Sequence, residues 1–171
     1  MFLCETIFSQ EKYAVLICGD NPEIDGNFVP DDIPCMVGYC DEFWNDPYMM
    51  WEMLIEQGYD NDNIFLLYYG GFDYTASWPY PERYNPRIEH YKIIGEEEHI
   101  TDFAANEDKV IMLFNGLTTG NSQYGIPQLN ENDFLFIWTF GHGKENINSP
   151  NELLLKTGSL TEVEFFDLVS P

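Results

Sequence analysis

A chain of 171 residues, 44% hydrophobic and 16% aromatic, has the size of one domain, can bury a substantial core and reads as globular. Thirty Asp and Glu against seven Lys and Arg give a formal net charge of −23, which repels phosphate backbones and argues against a nucleic-acid partner; it suits cationic peptides or divalent cations, and equally serves plain solubility. No apolar run reaches the length of a membrane span, and the opening MFLCETIFSQEKYAV lacks the basic-then-apolar order of a secretory signal, so no membrane partner is expected and the compartment stays open.

In chain order, YAVLIC at 13–18 predicts a first strand ending at Gly19-Asp20, because a short run of strand formers stops at turn residues. A Pro-, Gly- and Asp-rich loop is expected over 21–42. Asp46-Pro47 then supplies an N-cap and a first-turn proline for a helix whose apolar face holds Met50, Trp51, Leu54 and Ile55, stopped by Gly58. NIFLLYY at 63–69 predicts a second strand. Residues 72–100, rich in Pro and Tyr without clear periodicity, predict an irregular insertion with room for a short hairpin. A helix follows over 106–119, capped at Asn106, with Val110, Leu113, Phe114 and Leu117 on one stripe. FLFIWTF after Asp133 predicts a third strand, apolar enough to be parallel and covered on both faces. Leu153 to Leu155 suit a short extra strand turned at Gly158, and Thr161 with Glu164 forms a capping box for a last helix. The alternation of strands and helices predicts an α/β fold with a mostly parallel sheet.

In such sheets ligands sit beyond the carboxyl ends of the strands, and Gly141-His142-Gly143 falls there. A histidine on a stiff strand end has a fixed backbone and an exposed ring, as a general base near neutral pH requires. Flanking glycines let a substrate backbone approach, and the Gly143 N–H can serve a developing oxyanion. The same tripeptide is also a simple strand-end turn.

Taken together, YAVLICGD, FWNDPYMMWEMLIEQGYDNDNIFLLYYGG, ITDFAANEDKVIMLFNGL and DFLFIWTFGHG resemble the successive landmarks of the legumain-like (C13) branch of the caspase-fold cysteine peptidases, in a bacterial form. The resemblance covers most of 13–169. It implies a single caspase-like domain over 1–171, a three-layer sandwich that is incomplete here, and peptide-bond hydrolysis through a Cys–His pair without a metal. Position by position, His142 matches the catalytic histidine, Gly143 the residue whose amide helps form the oxyanion hole, and Asn45 an asparagine that orients the histidine. Pro47 stands where legumains carry a pocket arginine, so a preference for Asn or Asp is not implied.

The family nucleophile follows the histidine by roughly forty residues on the next strand, whereas Cys4, Cys18, Cys35 and Cys40 all precede His142. Cys18 reads as a small buried hydrophobe. The resemblance therefore implies either the histidine-bearing portion of a peptidase, completed by a second chain or a self-associated copy, or a noncatalytic caspase-like module that binds or regulates. A protein or peptide is the expected partner in both. A flavodoxin-like ligand-binding domain is weaker, because no Gly-rich phosphate loop follows the first strand.

Other constellations are less specific. NPEIDGNFVPDD at 21–32 departs from a calcium loop at both ends, though an acidic calcium site there stays open. Cys35 and Cys40 lack a second ligand pair for zinc. GEEEHIT at 95–101, with His99, reads as a solvated charged turn. WPYPERYNPRIEHY at 78–91, holding Arg83, Arg87 and His90, suits either a partner-binding excursion or surface packing.

Overall fold

The computed structural model describes residues 10–19, 37–73, 92–94, 97–145 and 149–170. Its centre is a parallel sheet of β1 (Lys12–Cys18), β2 (Ile64–Tyr68) and β5 (Phe134–Phe140), in the order β2-β1-β5. β1 is the middle strand, and every residue from Tyr13 to Cys18 is buried. The strand is apolar on consecutive positions because helices cover both of its faces.

Ala14, Leu16 and Cys18 of β1, with Ile64, Leu66 and Tyr68 of β2, pack against α1 (Val37–Glu56) through Phe43, Trp44, Tyr48, Trp51 and Leu54. On the opposite face Val15, Ile17, Phe65 and Leu67 meet α2 (Glu107–Thr119), whose buried stripe is Val110, Leu113, Phe114 and Leu117, as its spacing predicts. Phe165, Leu168 and Val169 of α3 (Glu162–Val169) pack onto the same core. The architecture is α/β in three layers around a parallel sheet. A hairpin, β3 (Lys92–Ile94) with β4 (Glu97–His99), lies within the expected insertion.

A second, antiparallel sheet forms from β6 (Gly143–Lys144), β7 (Glu152–Leu154) and β8 (Ser159–Thr161). The extra strand expected near Leu153–Leu155 is β7, and the turn at Gly158 adopts φ +84°. β6 and β8 are too short to show any pattern in sequence. The β7–β8 turn docks on the start of α2, where Lys156 N–H donates to the Ala105 carbonyl and Glu107 N–H to the Thr157 carbonyl.

Two expectations need correction. A loop was expected through residue 42 and a helix start at Asp46-Pro47; α1 instead begins at Val37, with Pro47 inside it. An interior proline costs about 3 kcal/mol, partly because it removes the N–H that would bond the carbonyl four residues back. That carbonyl belongs to Phe43, and the Cys18 thiol donates to it at 3.2 Å. A buried side chain from β1 thus replaces the missing backbone donor, which local sequence cannot reveal.

The second correction concerns β5, expected to be covered on both faces. Among the described residues it pairs with β1 alone, Phe134 is 48% exposed, and Leu135 to Trp138 are half-buried. The far edge of β2 is satisfied by residues 102–105: Asp102 N–H donates to the Leu66 carbonyl, Tyr68 N–H to that of Phe103, and Leu66 N–H to the Asp102 carboxylate. β5 has no such partner strand in the described residues, so its outer edge is where the sheet can grow.

The predicted capping box of α3 is present. Thr161 Oγ1 accepts from the Glu164 N–H at 3.2 Å, and the Glu164 carboxylate accepts from the Thr161 N–H at 2.9 Å. Thr161→Ala is expected to lower stability by about 1 kcal/mol in denaturant unfolding. The bonds from the Thr161 N–H and hydroxyl hold the Glu164 carboxyl below its usual range. A lowered carboxyl stabilises above its unfolded pKa and stops doing so as pH falls through the folded one, so the capping contribution fades on acidification.

Candidate active site

The register brings Cys18, Tyr68 and Phe140 level at the carboxyl ends of the three parallel strands. Beyond Phe140 the chain turns through Gly141, whose φ of +143° is a conformation that side-chain-bearing residues rarely adopt. His142 follows, exposed. Its backbone is pinned, since its carbonyl accepts from the Leu154 N–H at 3.0 Å. The strand-end imidazole expected from Gly-His-Gly is thus at the rim of the sheet and reachable from solvent.

The ring rests on Phe43 of α1, with centroids 5.2 Å apart and planes inclined by 34°. Phe43 also packs on Phe140 at 5.6 Å and is only 6% exposed. Its carbonyl is the one that receives the Cys18 thiol. One buried unit therefore links the end of β1, the Pro47 defect of α1 and the platform beneath the histidine.

Gly143 opens β6 opposite Leu153. Because His142 and Leu154 form the bonded pair one step earlier, the alternation of an antiparallel ladder turns the Gly143 N–H away from β7. The pairing of β6 with β7 therefore leaves the Gly143 N–H outside that ladder.

Asn45 is half-buried in α1, two residues past Phe43. It lies well inside the helix rather than just before its cap, as the sequence suggested. The α1 side chain seen against the imidazole is Phe43. Sequence reasoning missed Phe43 because it began the helix too late; counted from Val37, Trp44, Tyr48 and Trp51 are spaced i, i+4, i+7, a helical signal adjacent to Phe43.

Tyr69, at the end of β2, has φ +32°, a strained value for a residue with a side chain. Lys156 Nζ lies 3.7 Å from its ring centroid and also donates to its hydroxyl. Neither residue stands out in sequence. His99, expected in a solvated turn, is half-buried, and its Nδ1 donates to the Thr101 carbonyl at 2.6 Å. The Asp73 carboxylate gathers the N–H groups of Ile100 and Thr101 nearby, so His99 acts as a structural clip.

Cys18 is fully buried, with its thiol aimed at a backbone carbonyl, which suits the small-hydrophobe reading and not a nucleophile. Cys40 falls in the first turn of α1, and Cys4 and Cys35 lie outside the described residues, as do the acidic loop 21–32 and the segment 78–91. Among the described residues no group of three His, Cys, Asp or Glu is placed to hold a metal, and no helix is long and apolar enough to cross a membrane. Comparison with protein-family profiles, curated proteins and solved structures finds no match to this chain.

Proposed function

We propose that this chain is the histidine-bearing portion of a caspase-fold cysteine peptidase of the legumain-like type, with the thiolate brought by a strand that pairs along the outer edge of β5. The observation that carries the reading is the exposed His142 imidazole at the carboxyl end of a strand that, among the described residues, is paired on one side, because a neighbouring parallel strand would end beside it. The thiolate attacks the scissile carbonyl, forming a C–S bond while the Gly143 N–H stabilises the oxyanion. His142 protonates the leaving amine as the C–N bond breaks. It then takes a proton from water, which attacks the thioester and releases the acid. Asn45 would orient His142 from α1, as the resemblance implies. The substrate is a peptide or protein.

The alternative reading is a noncatalytic caspase-like module that binds or regulates; Cys18, buried in the described residues, serves as nucleophile in neither. One experiment separates the two. An acyloxymethyl-ketone peptide probe applied to the full-length gene product should label a cysteine other than Cys4, Cys18, Cys35 and Cys40. His142→Ala should slow that labelling by about 10²-fold or more, the usual worth of a positioned acid–base group. Labelling at an unchanged rate in the variant, labelling of one of those four cysteines, or none at all overturns the peptidase reading.

A further inference from the structure

Beside α1, over the half-covered face of β5, runs a cleft of ≈ 550 Å³ lined by Asp46, Met49, Met50, Glu52, Met53, Glu56 and Trp138. Its floor is Trp138, stacked on Phe140 with centroids 5.5 Å apart and planes inclined by 4°. Three of the six methionines of the chain line it, and Met49 and Met53 are 61% and 44% exposed. Methionine and tryptophan held in water at this density are costly unless something covers them. Flexible thioethers also adapt to varied apolar side chains, a property of peptide-binding grooves.

We infer that this cleft is a docking groove for a cationic amphipathic helix from another protein. Three features select that occupant. The first is shape: from Asp46 to Glu56 the α1 wall is about 15 Å long, three helical turns, and the layer beside α1 is where a second helix packs at 8–10 Å between axes. The second is charge, for every ionisable residue lining the cleft is acidic, so Lys and Arg flanking the apolar stripe of the ligand face a wall of opposite sign. The third is the chain as a whole, whose net charge of −23 opposes a second copy in the same place. Apolar anchors at i, i+4 and i+7 of the ligand would enter between Met49, Met53 and Trp138. This inference does not use the acid–base role of His142; it requires that a strand added along the outer edge of β5 leave the α1 side of Trp138 open.

The test uses three fluorescein-labelled 14-residue peptides. One has Leu and Lys in helical periodicity, one has the same composition in strict alternation, and one has Leu and Glu in helical periodicity. Anisotropy should show the helical Leu/Lys peptide binding at least about tenfold more tightly than the other two. Met53→Asp adds a negative charge and would strengthen a purely electrostatic association. Here it is expected to weaken binding about tenfold or more, with Met49→Gln as the gentler second variant, and circular dichroism unchanged in both. Glu56→Lys should also weaken binding. Equal binding of the helical and alternating Leu/Lys peptides, tighter binding to Met53→Asp, or sedimentation showing the groove filled by a second copy overturns the inference.

Discussion

Phe43→Ala is expected to be the most damaging single change at the site, costing about 3–5 kcal/mol for the buried ring and the cavity it leaves. Against a total of roughly 5–15 kcal/mol for a domain, that loss alone can prevent folding. Phe43→Leu is therefore the informative partner. It keeps most of the volume and should cost under about 1.5 kcal/mol, while the aromatic platform 5.2 Å from the His142 ring disappears. The measurement is the NMR spectrum of the His142 imidazole, whose ring protons sit in the ring current of Phe43. In Phe43→Leu these resonances should move toward the positions of an unshielded histidine. If they stay where they are, Phe43 does not carry the imidazole, and the link from Cys18 through Phe43 to His142 is wrong.

Much of the framework was legible because it rests on local pattern. β1, β2, α2 and the capping box of α3 follow from apolar runs, a 3.6-residue stripe and the Thr161–Glu164 spacing. Gly-His-Gly was legible as an exposed strand end because glycine on both sides of a histidine breaks an apolar run. What escaped was decided by residues distant in sequence. Pro47 is a strong start signal for a helix, and the donor that meets the carbonyl it leaves unbonded is the Cys18 thiol, 25 residues away from Phe43. FLFIWTF has the composition of a central strand, yet its position in the sheet depends on which partners reach it, and a continuous apolar run looks the same in a strand paired on one side. The platform under the imidazole was hidden by the same displaced helix start. The charge of the chain was compatible with cationic peptides, divalent cations or plain solubility; the cleft beside Met49 and Met53 depends on how α1 lies over β5, which no periodicity encodes.

Gly19 tests whether the hairpin behind the histidine must sit directly on the end of β1. A Cβ placed there would run into the Leu154 carbonyl oxygen and lie 2.6 Å from the Leu155 Cα, both backbone atoms that no rotamer change can move. Gly19→Ala should therefore push β7 outward, costing about 1–3 kcal/mol as overpacking does. For a chain of this size that lowers Tm by roughly 3–10 °C. The displacement also reaches the site, because Leu154 N–H holds the His142 carbonyl and Leu153 faces Gly143. Amide exchange at Leu153, Leu154 and Leu155 should accelerate more than in α2. Gly143→Ala is the contrast: its Cβ would meet the Glu152 carbonyl oxygen at an ordinary 3.5 Å, and the backbone N–H survives the change. Its Tm should stay within about 2 °C of the parent. A Gly19→Ala protein as stable as the parent, with unchanged exchange in β7, would show that the hairpin does not rest on this glycine.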